Sequence, residues 1–386
     1  MPEIEAQVEE LHSLGVRRVH TYAWRDLDDP EAGGSEVHAD EILRRWAAAG
    51  IEIVHRTSTH DTPRTFERHG YTVVQHGGRA GVLVRTPVRG ALHDRRSADA
   101  VVDIWNGLPW MTPLWFRGPR VTWLHHVHGP MWREYFPRPI AAVGRITEAH
   151  IAPRMYRHGA VVTLGESGRN ELVGIGLRHD RIQVIEPGIA DEFTPDATRR
   201  SPTPLIVAVG RLALMKRHLT LVEAVGVARS RIPDLRLEIL GEGPDRDALE
   251  RGIAALGAQD WCTLRGRVDN AALVDAYRRA WLFATASESE GWGMVITEAA
   301  ACGTPAVATR IVGHTDAVRD GESGVLVDGV DAFAESFVAL VSDDARLAGL
   351  RRGALAHAAS FSWEQAAARH LDVLVREARV HPPTRR

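Results

Sequence analysis

The chain is predicted to fold as two α/β domains, each a doubly wound parallel sheet covered by helices. Three observations carry that expectation. Strand-length apolar runs alternate with longer helical patterns throughout, as β–α–β units require. Several of those runs end in glycine-rich turns, beyond the carboxyl ends of strands where such sheets bind ligands. Residues 194–204, polar and carrying three prolines, interrupt the alternation near the midpoint and read as a linker. A chain of 386 residues gives each half enough material for its own core.

In the first half, residues 16–22 read as a strand, and the loop DLDDPEAGGSE leads into a helix over 36–49 that Gly50 ends. Gly33-Gly34-Ser35 opens that helix, and a glycine pair there lets a ligand approach the backbone closely. The dehydrogenase fingerprint G-x-G-x-x-G is absent. Residues 51–57 and 71–75 read as the next strands, and 100–105 as a fourth ending in Asn106-Gly107. Residues 121–124 form a fifth, leading into His125-His126-Val127-His128-Gly129. Neighbouring side chains of an extended segment point in opposite directions, so these three histidines cannot all converge on one metal ion. A helix over 139–156, a strand over 161–164 and a short helix over 168–174 follow, and residues 181–190 close the domain. Trp105, Trp110, Trp115, Trp123 and Trp132 crowd this half; most are expected in the core, with some free to shape a pocket.

The second half opens with a strand over 205–209 ending in Gly210-Arg211, and Lys216-Arg217 is expected to begin the next helix. Lys216 is the only lysine in the chain. Codon bias toward arginine explains the scarcity but not its position, where a cation opposes the helix dipole unless it serves an anion. Residues 236–240 and 261–264 read as strands, running into Gly241-Glu242-Gly243-Pro244 and Arg265-Gly266-Arg267-Val268. A strand over 281–284, a polar loop with Gly291 and Gly293, and a helix over 294–302 come next. Gly303-Thr304-Pro305 stops that helix ahead of a strand over 306–309, and a last helix runs from 362 to 379.

Composition excludes several classes. The net charge is −3 and dispersed, so there is no nucleic-acid footprint. The two cysteines, Cys262 and Cys302, fit neither a disulfide framework nor a zinc site. The acidic, polar N-terminal stretch is not a signal peptide, and no apolar run is long enough to cross a bilayer. The expectation is a cytoplasmic protein, a state compatible with peripheral contact at the inner membrane face.

Glu290 lies on the lip of a strand-to-helix loop and Glu298 on the helix behind it, with seven residues between them. Free N–H groups of the first helical turn face the same place and favour anions. This stretch, SESEGWGMVITEAAACGTPAVAT, resembles the E-x7-E signature of retaining glycosyltransferases of GT-B fold, the family 4-like enzymes also called glycosyl transferases group 1. The resemblance covers the whole chain and is densest over 210–327. It departs from the family at Pro187 and Ala190, where asparagine and aspartate are usual, so no role is carried onto either.

The resemblance implies two Rossmann-like domains facing a cleft, 1–195 on the acceptor side and 196–361 on the nucleotide-sugar side, with 362–386 crossing back to the first. It implies a metal-independent, cofactor-free transfer of a mannose- or glucose-type hexose from a GDP- or UDP-linked donor to a hydroxyl of a glycan, lipid-linked or small-molecule acceptor. Arg211 and Lys216 would contact the donor phosphates, Glu290 the sugar hydroxyls and Glu298 the ribose. Gly210, Gly266, Val268, Gly291, Trp292, Gly293 and Met294 would complete the donor site. From the first domain Gly33, Gly34, His125 and His126 would approach the donor, the histidines lining the sugar pocket. Two other readings share these features: a sugar-nucleotide epimerase of the same fold, and a non-catalytic sugar-nucleotide sensor.

Overall fold

The structure is a computed structural model that describes residues 2–59, 61–78, 81–135 and 137–383. The outermost positions of the expected domain ranges, Met1 and 384–386, lie outside the described residues. The chain forms two compact units, one running to Gly188 and resuming at Trp363, the other spanning Ile189–Ser362.

The first unit is built on an eight-stranded sheet. In chain order its strands are β1 (Arg18–Tyr22), β2 (Glu52–Thr57), β3 (Arg64–Arg68), β4 (Tyr71–Gln75), β5 (Ala100–Trp105), β6 (Arg120–Leu124), β7 (Ala160–Thr163) and β8 (Ile182–Val184). They lie in the order β3-β4-β2-β1-β5-β6-β7-β8. The sheet is not wholly parallel, because β3 pairs antiparallel with β4. His69 and Gly70, with φ of 47° and 85°, make the two-residue turn of that hairpin. β3 was hidden in sequence because RTFER, on the sheet edge, buries no face and shows no alternation. Its Phe66 is instead sandwiched by the guanidiniums of Arg64 and Arg68, 4.7 and 5.2 Å from the ring centre.

Every residue of β5 is buried, including Asp103, which accepts hydrogen bonds from the hydroxyls of Thr112 (2.8 Å) and Tyr156. Trp105, Trp110, Trp115, Trp123 and Trp132 are all buried, so they fill the core and present no open face. The helix Trp363–Val380 seals this unit, and the Trp46 indole donates to the Ala367 carbonyl at 3.0 Å. Gly188 is required beside it: a Cβ there would lie 2.2 Å from the Trp363 nitrogen.

The second unit carries a six-stranded, wholly parallel sheet. Its strands are β9 (Leu205–Val209), β10 (Arg236–Leu240), β11 (Cys262–Gly266), β12 (Leu282–Thr285), β13 (Ala306–Thr309) and β14 (Gly324–Val327). Their order, β11-β10-β9-β12-β13-β14, is that of a dinucleotide-binding fold, reversing direction between β9 and β12. Fully buried Leu237, Ile239, Leu282, Phe333 and Phe337 anchor its core, each contributing about 1.5–3 kcal/mol by burial.

Residues 194–204, expected as a free linker, belong to this unit. The Trp281 indole donates to the Ser201 carbonyl at 2.9 Å, Arg278 Nε to the Thr194 carbonyl at 2.7 Å, and Arg200 stacks on the Trp281 ring at 3.8 Å. The prolines mark an irregular path, but the polar residues between them give it side-chain anchors.

Candidate active site

Ligands of doubly wound sheets collect where the strand order reverses. In the second unit that point lies beyond the ends of β9 and β12, and the loops leaving those strands carry Arg211, Lys216 and Glu290. Lys216 does not open a helix as expected. It ends a short 3₁₀ turn, Leu214–Lys216, and Arg217 in the left-handed region (φ 48°) redirects the chain into the helix His218–Ala228. The turn aims the Lys216 ammonium at the neighbouring loop, where it pairs with Glu290 Oε1. The same carboxylate oxygen accepts from the Ser287 hydroxyl at 3.0 Å, and Glu288 N donates to the Met215 carbonyl at 2.9 Å. Side chain and backbone thus lock the two loops together.

Burial by itself pushes the Glu290 carboxyl upward, but Lys216, His314 and Ser287 together hold it below its ordinary 4.5. Gly293, at φ 94°, caps the helix Met294–Ala301, so the open N–H groups of that helix lie three residues from Glu290. Glycine is needed at this corner: a Cβ on Gly313 would stand 2.7 Å from the Glu290 carbonyl. A Cβ on Gly241 would fall 1.9 Å from the Gly210 carbonyl, so the loop after β10 crosses the one after β9 at closest approach.

Glu298 lies apart from this pair, accepting a 3.1 Å hydrogen bond from the Tyr277 hydroxyl. Burial raises its carboxyl to about 7, against the pull of Tyr277. Gly266 (φ 71°) ends β11, and Val268 is half-buried in the loop beyond it. Gly291 and Met294 are half-buried, whereas the Trp292 ring is buried edge-on against Phe361 at 5.3 Å.

The first unit has its own reversal point between β1 and β5. Gly33 and Gly34 sit there at the start of the helix Gly34–Ala48, near Asn106, whose amide reaches the Ser35 hydroxyl at 3.4 Å. The anion position is filled from within: Glu36 Oε2 accepts from the Gly33 N–H at 2.8 Å, and its other oxygen faces Arg25 Nε at 3.3 Å. Beside it a cavity is lined by Arg25, Asp26, Asp40, His55 and Arg68. Arg68 clasps Asp26 there at 2.7 Å in a nearly dry setting, and this pairing holds the Asp26 carboxyl down against burial.

His125 is turned inward. It is buried with its ring 4.8 Å from that of His38, and burial drives it to about 3. His126 points the other way, half-buried and stacked on His128 at 4.7 Å. Alternation along the extended segment produces this split. Among the described residues no group of three or more His, Cys, Asp or Glu is arranged to hold a metal ion.

Residues 32–193 match the family described as Glycosyltransferase Family 4, and residues 190–355 that described as Glycosyl transferases group 1. A D-inositol 3-phosphate glycosyltransferase of Xylanimonas cellulosilytica is 31% identical over 415 residues, covering 94% of this chain and 96% of its own. The chain is a family 4 glycosyltransferase. Sucrose-phosphate synthase from Thermosynechococcus elongatus superposes on this glycosyltransferase with a TM-score of 0.76 at 20% identity, over 92% of this chain and 97% of that one. Anabaena HepE, solved with UDP and glucose, does so at 0.73 and 16%, over 93% and 99%. The fold is GT-B. Like its family, the enzyme transfers a glycosyl group from a nucleotide sugar to an acceptor.

Two residues at the glycosyltransferase's Lys216–Glu290 loops were not anticipated. His314 Nδ1 lies 3.0 Å from the Thr309 carbonyl, while Nε2, near Gly293, has no partner among the described residues. His218, driven to about 4 by burial, reaches the Arg211 carbonyl at 3.4 Å. A lone histidine carries no signal of its own in sequence, which is why both were missed.

Proposed function

We propose that this enzyme is a retaining, metal-independent hexosyltransferase using a GDP- or UDP-linked donor. The observation that carries the reading is the Lys216–Glu290 pair at the reversal point of the second sheet, beside the mouth of the helix Met294–Ala301. Lys216, Arg211 and the helix N–H groups would receive the charge that develops on the departing diphosphate, as fixed donors and cations do. Glu290, released from Lys216 by the incoming phosphates, would hold hydroxyls of the donor sugar, and Glu298 those of the ribose. The bond from the anomeric carbon to the phosphate oxygen breaks as the acceptor oxygen bonds to the same face. The acceptor's proton passes to the leaving phosphate, so no enzyme nucleophile is needed.

The acceptor is a hydroxyl compound. Because the relative's name specifies D-inositol 3-phosphate, a cyclitol phosphate is the first to assay, with free cyclitols and short glycans beside it. Nuclear magnetic resonance of the product decides the stereochemistry: the anomeric configuration of the donor is expected to persist. An inverted product excludes the same-face route, and donor turnover to an epimerised sugar nucleotide without acceptor favours the epimerase instead.

A further inference from the structure

The helical stretch over 138–156 turns one face inward and leaves the other bare. Inward, Ala141, Gly144 and Glu148 are buried; Gly144 packs under the Trp132 ring, which a Cβ would meet at 2.5 Å. Glu148 accepts from the N–H groups of His128 (2.8 Å) and Gly129 (2.9 Å) and from the Trp132 indole (2.9 Å). Outward stand Ile140, Val143, Ile146 and Ile151, 53, 65, 54 and 48% exposed. Beside them lie four exposed arginines, Arg138, Arg145, Arg154 and Arg157.

Several arginines elsewhere on the surface are neutralised locally. Arg44, Arg231 and Arg310 are each paired with a carboxylate, whereas none of these four has one among the described residues. The only acid between positions 137 and 165 is Glu148, and it is buried and committed. Bare aliphatic side chains flanked by unneutralised cations on one helix suit the boundary between acyl chains and anionic headgroups. A protein partner would leave the same stripe needing an apolar groove with acids along one side only. No helix among the described residues is long and apolar enough to cross a membrane, so contact of this kind would be peripheral.

We propose that this face docks the enzyme on an anionic lipid surface. The proposal is independent of the donor site. Because Glu148 ties the loop after β6 to the inner side of the same helical stretch, docking brings that loop close to the bilayer.

The test is co-sedimentation of the full chain with vesicles of phosphatidylcholine, with and without phosphatidylglycerol. Binding is expected only with phosphatidylglycerol, and high salt should release it by screening the arginines. The double variant R138A/R145A should weaken partitioning roughly 30-fold at low salt, and V143S/I146S should abolish it, with circular dichroism unchanged in both. Absence of binding to phosphatidylglycerol vesicles, or equal binding by either variant, overturns the proposal. So does a dimer in light scattering that V143S/I146S converts to monomer, since the face would then join two copies of the chain. Transfer to a soluble acceptor should be unaltered in both variants, so the outcome is separable from the reading of the donor site.

Discussion

Replacing Lys216 with alanine removes the chain's only lysine and the partner of a half-dry carboxylate. The two side chains are 22 and 17% exposed, so solvent screens them less than an open surface pair. In the variant Glu290 keeps the 3.0 Å bond from Ser287 and the neighbourhood of His314. Burial then pushes its carboxyl upward without the strongest opposing charge, so it titrates higher than in the wild type. The sign for stability follows. In the wild type the depressed carboxyl stabilises the fold fully above its ordinary 4.5, and this is lost as pH falls through the lower folded value. In the variant that acid-side loss should shrink or reverse. For catalysis, removing one preorganised charge from the leaving group costs about 10²–10³ in kcat, or about 3–4 kcal/mol. The assay is the initial rate of nucleotide release at saturating donor and acceptor, with a thermal melt alongside. A folded K216A variant whose kcat stays within about threefold of wild type refutes the leaving-group role.

Three further outcomes are expected. Glu298 titrates near 7, so if its carboxylate grips the ribose, nucleoside diphosphate affinity should strengthen from pH 6 to pH 8; calorimetry on E298Q should find weaker binding and no such slope. Arg68→Ala leaves Asp26 charged and buried, and urea denaturation should register a loss of about 3–5 kcal/mol; a loss below about 1 kcal/mol would show that the pair contributes no more than a surface one. His38, His125 and His370 are buried and neutral, the last two depressed to about 3 and about 4. Their unfolded forms take up protons first, so stability should be intact above pH 6.5 and fall between 6.5 and about 4, and His370→Leu should flatten that fall.

Much of the architecture was legible because parallel sheets write themselves into sequence as buried runs followed by glycine turns. β5, β7 and β12 are buried at every position, and each was readable within a residue or two of its ends. β3, which has no apolar face, was not readable; the helix Pro2–Ser13 was missed because its acidic composition masked Ile4, Val8 and Leu11, spaced four and three apart and all buried. At the site, glycines and charges gave the loops away, and the solitary Lys216 pointed to its partner loop. The inward turn of His125 was not legible, because neighbouring residues of an extended segment face opposite sides and sequence does not say which side is open. Nor was the commitment of Glu36 to the Gly33 N–H, which puts a carboxylate at a helix mouth that sequence alone suggests is vacant.

Calorimetric titration of nucleoside diphosphate into wild type, R211A and K216A is the sharpest test of the phosphate cradle. Both variants should bind at least about tenfold more weakly while the unphosphorylated nucleoside binds all three alike, a loss of about 1.4 kcal/mol or more confined to the phosphates. Equal diphosphate affinity in all three proteins contradicts the cradle at Arg211 and Lys216.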